Sequence, residues 1–203
     1  MIDRPGGKAA GPDGALEPGD RAARGREPRT VAALDLAGDE GGFPDPAPHA
    51  PALAVAREAG LRLTAHAGED AGAASGRAAV ETLGPERIGH GVRIEEDAEL
   101  TDRVIAAGIA LDMCPRSNVQ TRAVESLARH PIDRLLRRGA RVTISTDGRT
   151  LSATTVTAEL ARLRDAFGWG QAEIAACQRH AAAAAFVDER RREEILSRLA
   201  SLP

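Results

Sequence analysis

Leu63-Thr64-Ala65-His66-Ala67-Gly68-Glu69 is a short apolar run that stops at a histidine and places a glutamate three residues further on. The same design recurs downstream. Arg87-Ile88-Gly89-His90 ends in a histidine, Ile109-Ala110-Leu111-Asp112-Met113-Cys114 in a cysteine, and Val142-Thr143-Ile144-Ser145-Thr146-Asp147 in an aspartate. Upstream, Val31-Ala32-Ala33-Leu34-Asp35 ends in an acid. Strand-length runs separated by helix-length segments imply parallel pairing with right-handed crossovers. Polar groups delivered at the strand ends imply a site assembled from strand tips, where a parallel α/β barrel keeps its chemistry.

Working outward, the spacing predicts helices over 48–60, 72–83 and 96–107, helical segments over 124–138, and helices over 154–167, 171–186 and 189–199. Pro115-Arg116-Ser117-Asn118 reads as a loop. Several strands are apolar almost throughout, which predicts helices on one face and an apolar barrel interior on the other. An open doubly wound sheet has the same alternation but gathers ligands at one switch point, so the barrel is preferred. Residues 1–29 are broken by Pro and Gly at every period and are expected to be a disordered or artefactual leader, with the folded domain over 30–203.

The chain has 203 residues, enough for one domain core, but a complete (β/α)8 barrel typically takes about 250. A net charge of −3 gives no electrostatic argument for nucleic acid or an acidic membrane surface. Two cysteines make no disulfide framework, which points to a reducing cytoplasm. No run approaches membrane-spanning length, and no signal-peptide core is visible.

His66 and Glu69 are candidates for a metal ligand and a proton carrier; the same pair also suits a core histidine with a glutamate in a helix's first turn. His90 lies between Gly89 and Gly91, which permit close approach of a ligand or backbone. Asp147 ends a β-branched run, where a buried carboxylate needs a metal or histidine partner, or caps a helix. Asp35 has the same two readings. Cys114, before Pro115, reads as a small buried hydrophobe rather than a nucleophile. His49, His130 and His180 read as surface or packing residues. Together His66, His90 and Asp147 are nitrogen and oxygen donors that suit zinc, with Glu69 as acid or base.

The segments Asp35-Leu36-Ala37-Gly38-Asp39-Glu40, His66-Ala67-Gly68-Glu69, Arg87-Ile88-Gly89-His90-Gly91, Cys114-Pro115-Arg116-Ser117-Asn118 and Ser145-Thr146-Asp147 stand in the order seen in adenosine deaminases. The chain from about Thr30 onward thus resembles that family of metal-dependent amidohydrolases. The resemblance implies zinc held by His66 and Asp147, and proton delivery to purine N1 by Glu69. It further implies His90 orienting and helping to deprotonate the metal's water, and the Gly38 N–H hydrogen-bonding the purine. The implied reaction converts adenosine to inosine and ammonia, with adenine or another 6-aminopurine as alternative substrates.

Two features depart from the pattern. No His-x-His pair occurs anywhere in the chain, and the matched region begins at what would be the family's fourth strand. An N-terminally truncated, five-stranded partial barrel is therefore expected, whose open edges offer a route to self-association. Gly148 stands where the family has an aspartate or asparagine beside the metal-binding acid, so impaired turnover is expected. The competing expectation is a degenerate, inactive fragment or an interaction module.

Overall fold

The computed structural model describes residues 31–201, so the expected leader over 1–29 lies outside the described residues. Five short strands, β1 (Ala33–Leu36), β2 (Arg62–Ala67), β3 (Arg87–His90), β4 (Ala110–Met113) and β5 (Arg141–Ile144), form one sheet in chain order. Every neighbouring pair is parallel. This is the singly wound order of a barrel wall rather than a doubly wound sheet, and the five-stranded α/β expectation is met.

The helices are α1 (Ala50–Glu58), α2 (Gly72–Leu83), α3 (Ala98–Ala107), α4 (Pro115–Gln120), α5 (Ile132–Arg137), α6 (Arg149–Ser152), α7 (Val156–Phe167), α8 (Gln171–Ala184) and α9 (Glu189–Ala200). Side-chain caps set several of their starts. Asp97 accepts the Leu100 N–H at the head of α3, Thr155 the Ala158 N–H at α7, and Asp188 the Arg191 N–H at α9. The expected loop at Pro115-Arg116-Ser117-Asn118 is instead a helix. Proline occupies its first position, where its missing N–H costs nothing, and Cys114 is the N-cap.

One core lies between the sheet's outer face and the helices. Leu63, Ala65, Ile88, Leu111, Met113 and Val142 of the strands pack with Leu53, Ala79, Leu100, Val104, Leu135 and Leu163. The opposite face overturns the expected apolar interior. Register places Asp35, Thr64 and Arg87 on a common row, and Gly89, Asp112 and Thr143 on another. Thr143 donates to the Asp112 carboxylate at 2.7 Å, and the Arg87 guanidinium stacks 3.8 Å from the Phe186 ring centroid. The strands thus alternate, apolar towards the helices and polar within, a period that short runs such as Arg87 to His90 scarcely reveal.

At the β5 margin, α8 lies alongside the strand, and His180 Nδ1 is 3.2 Å from the Val142 carbonyl oxygen. No helix among the described residues is long and apolar enough to cross a membrane.

Candidate functional site

The site lies at the C-terminal ends of the strands. His66, near the end of β2, has its Nδ1 3.1 Å from Asp35 Oδ2 on the neighbouring strand. That hydrogen bond, opposed by burial, holds the imidazole above its ordinary pKa. With Nδ1 engaged, Nε2 is the atom His66 can offer a metal, the arrangement in which a carboxylate orients a ligating histidine. Gly89 makes room for it: a Cβ there would lie 3.0 Å from the His66 ring.

His90 closes β3 in a left-handed conformation, φ 63°, which few side-chain-bearing residues adopt. Its ring is buried, and desolvation lowers its pKa below the usual imidazole value. The centroids of the two imidazoles are 5.2 Å apart. His90 Nε2 is 3.3 Å from Glu69 Oε2. Glu69 Oε1 accepts from Thr121 Oγ1 at 3.0 Å and from Asn118 Nδ2 at 3.3 Å. Asp147 follows β5, also left-handed at φ 54°, and accepts from Ser117 Oγ at 2.7 Å. The charges of Asp147 and Glu69 both act on His66. His66, Glu69, His90 and Asp147 therefore stand together, as their positions at strand tips imply.

Gly38 lies in the loop after β1 and lines a cavity of about 410 Å³ with Asp39, Glu40, Phe43 and His66. Cys114 is buried, and desolvation pushes its thiol far above the ordinary range, the environment of a small buried hydrophobe. His49 is exposed and His180 half-buried. His130 is fully buried, and desolvation brings its pKa down to about 3.

Three further residues support the site from positions that no local pattern marks. Asn118, fully buried, contacts Glu69 and His90 with its amide nitrogen, while its oxygen accepts from the Cys114 N–H at 3.2 Å. Glu40 accepts the N–H groups of Gly68 at 2.7 Å, Glu69 at 3.0 Å and Asp70 at 2.8 Å, and the Ser75 hydroxyl. It fixes the turn that carries Glu69. Glu159, fully buried, accepts the Arg116 N–H at 3.0 Å at the head of α4 and pairs with Arg162 at 2.8 Å. The only sequence signal for Asn118 and Glu40 was their place inside recognisable motifs; Glu159 had none.

For a metal, His66 and Asp147 are suitable nitrogen and oxygen donors, each braced by a second residue. A catalytic zinc takes three protein ligands. Among the described residues no group of three or more His, Cys, Asp or Glu is placed to hold an ion. The described donors thus fit as part of a ligand set and not as a whole one.

Residues 18–202 match the family model described as Adenosine deaminase. A protein named adenine deaminase from Rhizobium etli is 42% identical over 191 residues, covering 93% of this chain and 58% of the relative. An adenosine deaminase of Mycobacteroides abscessus is 41% identical over 175 residues, 80% of this chain and 48% of the relative. The crystal structure of an amidohydrolase from Burkhoderia ambifaria with bound zinc superposes with a TM-score of 0.78 at 25% identity, over 91% of this chain and 53% of that one. The chain therefore spans about half the length of the curated relatives it matches. With a family model matched along nearly its whole length and these strand-tip residues in family order, the chain belongs to the adenosine deaminase family.

Proposed function

We propose that this chain carries the proton-transfer part of a zinc-dependent 6-aminopurine deaminase site, acting on adenosine to give inosine and ammonia. The observation that carries this reading is the meeting of Glu69, His90 and His66 at adjoining strand tips, with Glu69 3.3 Å from His90. His66 and Asp147 are the residues that would hold zinc, the metal bound in the Burkhoderia ambifaria neighbour. Zinc supplies Lewis acidity and lowers the pKa of a bound water.

The chain's own residues do the rest. Glu69 passes a proton to purine N1, which makes C6 electrophilic. Thr121 and Asn118 hold its Oε1, which leaves Oε2 beside His90 Nε2. His90 orients the attacking water beside Glu69, and the Gly38 N–H aligns the purine. In balance, the C6–N bond breaks, a C6–O bond forms with oxygen from water, and the amino group leaves with a proton as ammonia.

A second substrate, free adenine, is favoured by the name of the Rhizobium etli relative. Both readings are tested together by incubating the purified chain with zinc and either purine and measuring ammonia release. Turnover of one and not the other assigns the substrate. Failure of both, together with less than stoichiometric zinc, refutes the deaminase reading and leaves a non-catalytic barrel fragment or interaction module.

A further inference from the structure

The hydrogen bonds behind His90 form a chain whose every donor is determined. It begins at the Ile132 backbone N–H, which can only donate, and which lies 3.1 Å from His130 Nδ1. His130 Nδ1 is therefore an acceptor, and its proton sits on Nε2. That nitrogen is 3.3 Å from Asn118 Oδ1, which also receives the Cys114 N–H at 3.2 Å. Two donors converging on one Asn118 atom make it the oxygen, so the amide group faces the other way. The amide has two hydrogens and two acceptors: Glu69 Oε1 at 3.3 Å, which as a carboxylate oxygen accepts, and His90 Nδ1 at 3.0 Å.

We infer that Asn118, oriented by His130, is a positioning residue that keeps the His90 proton on Nε2, facing Glu69. The placement of the proton rests on the hydrogen-bond geometry alone, and its value to catalysis rests on the deaminase reading. All four side chains of the chain are buried or half-buried, so water does not compete freely for the same bonds. With Nδ1 occupied, His90 presents an N–H, rather than a lone pair, to whatever lies between it and Glu69. The two backbone amides that impose this order belong to the turn before α4 and the first residue of α5. The site's proton arrangement is thus set from the outer helical layer.

The experiment is ¹⁵N NMR of the histidine rings in the metal-free 203-residue chain, above the imidazole pKa, with the His90 signals assigned by their loss in His90→Gln. A single Nε2–H tautomer is expected at His90, favoured at least about tenfold, the bias one net hydrogen bond supplies. An Nδ1–H tautomer, or rapid exchange between the two, overturns the inference without any variant. Asn118→Asp replaces the amide donor by an acceptor, and His90 is expected to switch to Nδ1–H. Retention of Nε2–H in the folded variant also overturns it. His130→Gln keeps a donor towards Asn118 and is expected to preserve the wild-type tautomer. If either Asn118 or His130 variants unfold, the wild-type spectrum still decides. No substrate is present, so loss of turnover with an intact tautomer counts against the deaminase reading alone.

Discussion

His130 is a histidine with no exposed surface, and burial drives its pKa down to about 3, with Arg134 adding to the shift. An unfolded imidazole titrates near pH 6.5. Between those values the unfolded chain binds a proton that the folded chain excludes, so stability rises with pH across the window and is level above it. At about pH 4.5 the unfolded state is favoured by roughly two pH units' worth of proton binding, about 3 kcal/mol at 1.36 kcal/mol per unit. Most of this survives any folded pKa at or below about 4. That is a large share of a typical domain's total stability, about 5–15 kcal/mol. His90 and His180 are also lowered by burial and act in the same direction, so the wild-type profile alone does not isolate His130. The assay is urea unfolding followed by circular dichroism, near neutral pH and at about pH 4.5, on wild type and His130→Gln. Glutamine keeps a donor and carries no titratable proton. The loss on acidification is expected to be about 3 kcal/mol smaller in the variant. Equal losses in the two proteins, within about 0.5 kcal/mol, would show that His130 takes up its proton without unfolding and refute the reasoning.

Glu159→Ala leaves the half-buried Arg162 without its carboxylate and the head of α4 without an acceptor; a loss of about 3–5 kcal/mol is expected in the same urea assay. Glu40→Ala removes the acceptor of three backbone N–H groups, and about 2–3 kcal/mol of destabilisation is expected, with weaker purine binding by calorimetry. Ser117→Ala releases Asp147 from its 2.7 Å hydrogen bond; zinc affinity, measured by competition with a chelator, is expected to fall about 10–100-fold, and unchanged affinity would remove Asp147 from the ligand set. At Gly148, φ is −65° and a Cβ would meet Leu151 no closer than 3.4 Å. Gly148→Asp is therefore expected to fold with a change within about 0.5 kcal/mol, and to raise ammonia release if the family's acid is what this site lacks.

The alternation of strands and helices was legible because apolar runs and glycine stops leave a local imprint. The helix Gly72–Leu83 matches its predicted span, and five parallel strands appear where polar groups end apolar runs. What local pattern hides depends on distant partners. Pro115 to Asn118 looks like a loop by composition, yet forms a helix whose head is held by Glu159, remote in sequence. The polar inner face was hidden because four-residue strands such as Ala110–Met113 offer only two side chains to each side, too few to show a period. His66, Glu69, His90 and Asp147 could be singled out by position, but the atoms that orient them could not. Glu40 caps a turn 28 residues away, and Asn118 meets Glu69 across 49. Such pairings are facts of tertiary structure, and no local pattern encodes them.

The left-handed backbone at His90 and Asp147 sets this site against the interests of the fold that carries it. Glycine enters that conformation at no steric cost, whereas a residue with a Cβ pays about 1 kcal/mol for it. Random substitution screened for thermal tolerance alone would therefore drift towards glycine or asparagine at the two strand tips where an imidazole and a carboxylate stand, as at Arg122 and Ala153. A lineage or a library relieved of the need to hold a metal and a proton would record its release there first, as a gain in melting temperature accompanied by the loss of both groups.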